Sequence, residues 1–213
     1  MNIIALNSRG RFFISAILFL FPLFVFSENS DSSIAIIESN SNYFNETAII
    51  FDINPTFLKS IVYVERTLNY DWSDKIFDVF FARSGRNSSI GFCQVKLKTA
   101  YWIEKQLNDS TSNFFPGEKY YKKLTISKSP QEIINKLNND SLNILYAGAY
   151  IRIIQSLWKK SGFPINDRVD ILATLYSTGL FQSDGSLRKP HKNPKSNYFG
   201  KKAVNCSLIF TAK

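Results

Sequence analysis

Apolar residues recur every three to four positions along most of this chain, the spacing that lines one face of a helix. The first clear case is Pro55 to Leu68, where Asn54 can cap the helix, Pro55 takes its first position and the pattern fails at Asn69. An apolar run, Lys75 to Phe81, follows Ser73, and Ala82 to Ser89 reads as a loop around Gly85. Thr99 to Leu107 predicts another helix, with a start as early as Val95 left open. Ser129-Pro130-Gln131-Glu132 joins a capping box to a first-turn proline and opens a helix to about Leu137. Ser141 to Lys160 is the longest helical run; Lys159 and Lys160 suit its C-terminal dipole and Gly162 can stop it. Asp167 to Thr178 places Val169, Leu172, Ala173 and Tyr176 on one stripe. Two-residue alternation is nearly absent, and only Ala203 to Ala212 admits a strand. The polar stretches Asn108 to Asn113 and Ser183 to Ser196 read as loops. The expected fold is mainly α, with little or no β-structure.

The ends of the pattern divide the chain. Arg9 and Arg11 precede an apolar run, Phe12 to Phe26, broken by Pro22 and short for a membrane span. Val25-Phe26-Ser27 suits cleavage before Glu28, so residues 1–27 are expected to be a signal peptide; an uncleaved N-terminal anchor is the alternative. No Cys follows the run, which argues against a lipid anchor. Residues 28–49, rich in Ser and Asn, are expected to be a loose lead-in, although Ile34 to Ile37 can pack. Residues 50–213 form the expected domain, with no internal repeat and no long linker. The protein is expected to be secreted or periplasmic, with no membrane attachment after cleavage.

Charge and cysteines narrow the classes. The chain carries a net +9; without Arg9 and Arg11, 24 basic residues stand against 17 acidic ones, a net of +7. That balance favours polyanionic partners, the bacterial wall polymer among them. The basic residues are scattered, apart from a patch at Arg188 to Lys202, and export argues against nucleic acid. Cys93 and Cys206 can close one disulfide in an oxidising compartment or remain apart. The single histidine, His191, lies in a Pro/Lys-rich loop, so neither a zinc site nor a Ser-His-Asp triad is expected, and no cofactor.

One residue breaks the pattern. Glu65 follows Leu58, Ile61 and Val62 by seven, four and three places and shares their helix face. A buried ionised carboxylate is costly. Glu65 therefore reaches water at a rim, pairs with a neighbour such as Lys59 or Arg66, or sits where its proton is retained, the condition of a general acid. Two more segments belong with it: Ser88-Ser89-Ile90-Gly91-Phe92-Cys93-Gln94, followed by Thr99-Ala100, and Ala173-Thr174-Leu175-Tyr176-Ser177-Thr178-Gly179.

In this order and spacing the segments resemble the soluble-type lytic transglycosylases, the lysozyme-like family that cuts peptidoglycan. Glu65-Arg66 stands where that family has its catalytic glutamate, usually followed by Ser. Gly91-Phe92-Cys93-Gln94 matches its motif of Gly, two apolar residues and Gln, and Thr99-Ala100 the pair that follows. Ala147-Gly148-Ala149-Tyr150 resembles its next helix, and Leu175-Tyr176-Ser177-Thr178-Gly179 its Ala-Tyr-Asn-x-Gly motif, with Ser177 for the usual Asn. Tyr198, in Asn197-Tyr198-Phe199-Gly200, is the counterpart of a later cleft-lining Tyr. The resemblance spans roughly residues 50–202.

It implies a lysozyme-like α domain with a substrate cleft, whose partner is the peptidoglycan glycan strand. Glu65 would protonate the oxygen between N-acetylmuramic acid and N-acetylglucosamine, then take the proton of the muramic 6-hydroxyl, giving a 1,6-anhydro end without water. Gly91, Gln94, Tyr176 and Tyr198 would contact substrate, Gln94 near the acetamido groups and Tyr176 beside the acid. Gln94 as a helix cap and Tyr176 as a core residue are the structural alternatives. The aromatic residues suit both sugar faces and a core, and Trp72, Trp102 and Trp158 are expected to be packing residues. Two other functions stay open. A lysozyme-type muramidase would use water positioned by Asp71, Asp74 or Asp78. A protein of the same fold that binds glycan without cutting it is suggested by Arg66 and Ser177.

Overall fold

The computed structural model describes residues 30–69 and 88–211. Among them are eight α-helices and one two-stranded sheet, so the fold is mainly α. The order is α1 (Ser30–Ser39), α2 (Ser41–Phe51), α3 (Pro55–Asn69), β1 (Ser89–Ile90), β2 (Val95–Lys96), α4 (Leu97–Asn108), a 3-10 turn (Glu118–Tyr120), α5 (Pro130–Asn138), α6 (Asp140–Lys160), α7 (Val169–Thr178) and α8 (Tyr198–Thr211). The expected signal segment and the run Lys75 to Phe81 lie outside the described residues. No helix among those described is long and apolar enough to cross a membrane.

The start signals act as their chemistry dictates. Asn54 Oδ1 accepts the Thr56 N–H at 2.9 Å at the head of α3. Ser129 Oγ accepts the Glu132 N–H at 3.2 Å, and the Glu132 carboxylate reaches back to the Lys128 N–H at 2.8 Å. Asn139 Oδ1 accepts the Leu142 N–H at 3.0 Å to open α6.

Helix α6 is the axis of the fold, buried without a break from Tyr146 to Trp158. It packs against α2, α4, α5 and α7. Where α2 crosses it, a Cβ added to Gly148 would stand 2.3 Å from Thr47 Cγ2, so the missing side chain sets that approach.

Two segments differ from expectation. Most of the stretch expected as a loose lead-in, residues 28–49, is helical: α1 and α2 pack on α3, Ile34, Ile36 and Ile37 pack as the sequence allowed, and Phe44, Ala48 and, just beyond, Phe51 are core residues too. On α2 the buried positions Phe44, Thr47, Ala48 and Phe51 follow a helical stripe that the surrounding Ser and Asn residues obscure. The segment that admitted a strand, Ala203 to Ala212, lies almost wholly in α8. Its buried residues Phe199, Ala203, Cys206 and Phe210 recur at helical, not alternate, spacing. Helix α8 lies against both α3 and α7. Cys93 and Cys206 are both buried and both free.

A polar cluster stands inside the apolar core. Glu104 on α4 is fully buried, accepting the Ser127 N–H at 2.7 Å and hydroxyl at 2.8 Å, the Lys136 ammonium at 3.2 Å, and the Tyr146 hydroxyl. Four donors meet one carboxylate, which is how a buried charge is tolerated.

Candidate active site

Leu58, Ile61 and Val62 are fully buried, and Glu65, on the same stripe one turn on, is only half-buried. The stripe runs out of the core into a cleft of about 460 Å³. Glu65 from α3 lines it with Ser89 and Gln94 to Lys96 of the hairpin, Thr99 of α4, Tyr150 of α6, and Tyr176 to Gly179 at the end of α7. Three of the sequence-derived candidates, Glu65, Gln94 and Tyr176, thus share one cavity. Glu65 is the only carboxylate that lines it among the described residues.

The hairpin is the most tightly specified part of the wall. Ser89 pairs with Lys96 and Ile90 with Val95, so Gly91 to Gln94 form the connection. Gly91 has φ +75° and Gln94 φ +52°, left-handed conformations that turn the chain sharply. The Gln94 backbone N–H and its side-chain amide both donate to the Gly91 carbonyl, each at 3.2 Å. From beneath, buried Asn143 of α6 accepts the Cys93 N–H at 2.7 Å and donates to the carbonyls of Ile90 at 2.9 Å and Leu137 at 2.7 Å. Arg66, also buried, lays its guanidinium 4.5 Å from the centre of the Phe92 ring and donates to the Phe92 carbonyl at 3.3 Å. The arginine beside Glu65 is therefore turned onto the hairpin, as expected for adjacent helix positions.

Tyr176 closes the circuit. Its hydroxyl donates to the Cys93 carbonyl at 2.9 Å, and its ring lies 5.8 Å from that of Tyr150. Burial, then the thiol of Cys93 and the charge of Glu65, hold its hydroxyl well above the ordinary phenol range. Burial likewise pushes the Cys93 thiol up, with Arg66 opposing and Asp140 and Glu65 adding to the effect, so this cysteine is a poor nucleophile. Burial raises Tyr150 to about 12.

The cleft continues past Thr99, Tyr150 and Gly179 into a second hollow of about 280 Å³, walled by Trp102, Leu180 and Phe181. There the Trp102 ring lies 6.1 Å from Tyr150, 6.2 Å from Phe181 and 5.1 Å from Phe114.

Two candidates are placed elsewhere. Gly91 does not line the cleft; it faces Leu137 and Asn143. Tyr198 is 66% exposed at the start of α8, with the Lys202 ammonium 5.1 Å from its ring centre. Asp71, Asp74 and Asp78 lie outside the described residues. Asn143 is the structural residue that sequence reading passes over; its signal is a polar side chain at a core position of the longest helix. No group of three His, Cys, Asp or Glu residues among those described could hold a metal ion. A scan of the chain against protein-family models finds no match, and a search of curated proteins likewise finds none.

Proposed function

We propose that this protein is a peptidoglycan lytic transglycosylase of the cell envelope, acting after export and removal of residues 1–27. The observation that carries the proposal is Glu65, half-buried at a helix end, opening with Gln94 and Tyr176 onto one cleft where no second carboxylate stands among the described residues.

The chemistry follows from that arrangement. Glycoside cleavage needs a proton at the leaving oxygen, and most glycosidases add a second carboxylate to supply a nucleophile or activate water. A lone carboxyl group performs both steps if the nucleophile belongs to the substrate. Glu65 gives its proton to the bridging oxygen as the anomeric C–O bond breaks. The resulting carboxylate takes the proton of the 6-hydroxyl, whose oxygen bonds to the anomeric carbon, so Glu65 ends as it began. Tyr176, fixed by its bond to Cys93 O, presents a phenol oxygen that stays protonated throughout. Ser89, Thr99, Ser177 and Gln94 give the wall the hydroxyl and amide character that sugar hydroxyls and acetamido groups require. In the second hollow Trp102 packs against Phe114, Tyr150 and Phe181, and the exposed Phe181 offers an aromatic surface to a further sugar.

Digestion of purified sacculi, followed by mass spectrometry of the released fragments, tests this reading. The expected products end in anhydro sugars, one water lighter than hydrolysed ends, and Glu65→Gln lowers their release by about a hundredfold or more. Hydrolysed ends would assign a muramidase instead. Sacculus binding with no release by the wild type would assign a glycan-binding protein.

A further inference from the structure

Behind α7 lies a third cavity, apart from the cleft and its aromatic extension. It has a volume of about 440 Å³ and meets the Glu65 cleft only at Thr178, which borders both. Arg188, Lys189, His191 and Lys195 line it, and no carboxylate does. Three permanent cations converge on one small space, an arrangement that raises its potential for anions.

The floor points the same way. Trp158 lines this cavity and is 2% exposed, yet its Nε1–H finds no acceptor among the described residues. Arg188 Nε is buried and equally without a partner. A buried donor without an acceptor is costly, and such groups are normally satisfied. Two unmatched donors within a ring of cations call for a ligand rich in acceptor oxygens and negative charge. A carboxylate brings two oxygens and one charge; a phosphate monoester brings three oxygens and nearly two charges at neutral pH. The guanidinium fork of Arg188 suits such a group. The remaining wall is apolar, formed by Ile171, Leu175 and Pro194, and the space exceeds a bare phosphate.

We infer that this cavity is a binding site for a soluble phosphate monoester, with the phosphoryl group at Arg188, Lys195 and Trp158 Nε1 and a small organic group against Ile171 and Leu175. The Arg188 charge also acts on the Tyr150 hydroxyl of the cleft, but the proposal stands whether or not Glu65 is catalytic.

Calorimetric titration of the full exported chain with phenyl phosphate, inorganic phosphate and acetate, at ionic strength fixed with sodium chloride, tests the site. Phenyl phosphate is expected to bind saturably at one site, inorganic phosphate more weakly and acetate not measurably. Loss of a charge-assisted hydrogen bond corresponds to a fall of about tenfold or more, expected for R188Q and, with a fold left intact because the residue is exposed, for K195Q. K105Q, on the exposed face of α4, should bind as the wild type does. No saturable binding, equal affinity for acetate, or equal losses in K105Q and K195Q would each overturn the proposal. Binding only to phosphatidic-acid vesicles, with none to phenyl phosphate, would do so too.

Discussion

Gly91 and Asn143 meet on the one face of the glycine that has no side chain: a Cβ at position 91 would stand 2.4 Å from Asn143 Nδ2 and 2.1 Å from the Leu137 carbonyl oxygen. The glycine of the Gly-Phe-Cys-Gln motif is therefore required by close packing and by a positive φ. Gly91→Ala is expected to cost about 2–4 kcal/mol, from overpacking and left-handed strain together. Urea unfolding followed by circular dichroism measures it. A loss below 1 kcal/mol would mean that the hairpin does not hold this conformation.

Tyr176→Phe separates positioning from packing. The ring keeps its place beside Tyr150 while the bond to the Cys93 carbonyl is lost, a stability cost of about 1 kcal/mol. Release of muropeptides should fall by about tenfold or more, with sacculus binding unchanged. If both properties survive, Tyr176 is a core residue only.

Glu104 is a fully buried carboxyl group whose hydrogen-bond partners come from three separate segments. In Glu104→Gln one amide must replace a carboxylate that accepts from Ser127, Lys136 and Tyr146, and its own donors would face theirs. A loss of about 3 kcal/mol or more is expected from breaking this buried pair. Thermal unfolding checks it, and an unchanged midpoint would show the cluster to be dispensable.

Stability should decline at alkaline pH. Folded Tyr150 holds its proton to about 12, whereas a free tyrosine releases it near 10.0. The stabilisation is complete below pH 10 and is lost as pH climbs towards 12, because the unfolded chain ionises first. At about 1.4 kcal/mol per unit the whole effect is roughly 3 kcal/mol. Denaturant midpoints across that window should fall more steeply for the wild type than for Tyr150→Phe; parallel curves would refute the assignment.

The long helices are legible because their apolar stripes and start signals agree: Asn54 and Ser129 accept the N–H bonds that their types favour at helix starts, and the structure adds Asn139 as the cap of α6, which starts one residue before the expected Ser141. Helices α1 and α2 were not, since Ser and Asn residues around Phe44, Ala48 and Phe51 carry a loop composition on a helical period. In α8 the β-branched and aromatic residues favour a strand, but tertiary packing against α3 and α7 overrides that local preference. At the cleft, the face position of Glu65 and the motifs holding Gln94 and Tyr176 lie open in the sequence. Asn143 and Lys96 do not, because their places depend on where a distant helix meets the hairpin.

Helix α8 has a consequence for timing. It presses Phe210 edge-on against Tyr63, 6.0 Å away, only two residues before Glu65, and approaches α7 so closely that a Cβ on Gly200 would stand 2.1 Å from the Asp170 carbonyl. The helix that bears Glu65 is thus braced by a segment synthesised well over a hundred residues later. A chain ending before residue 198 lacks that brace, so truncation there removes the support of both cleft-bearing helices, α3 and α7.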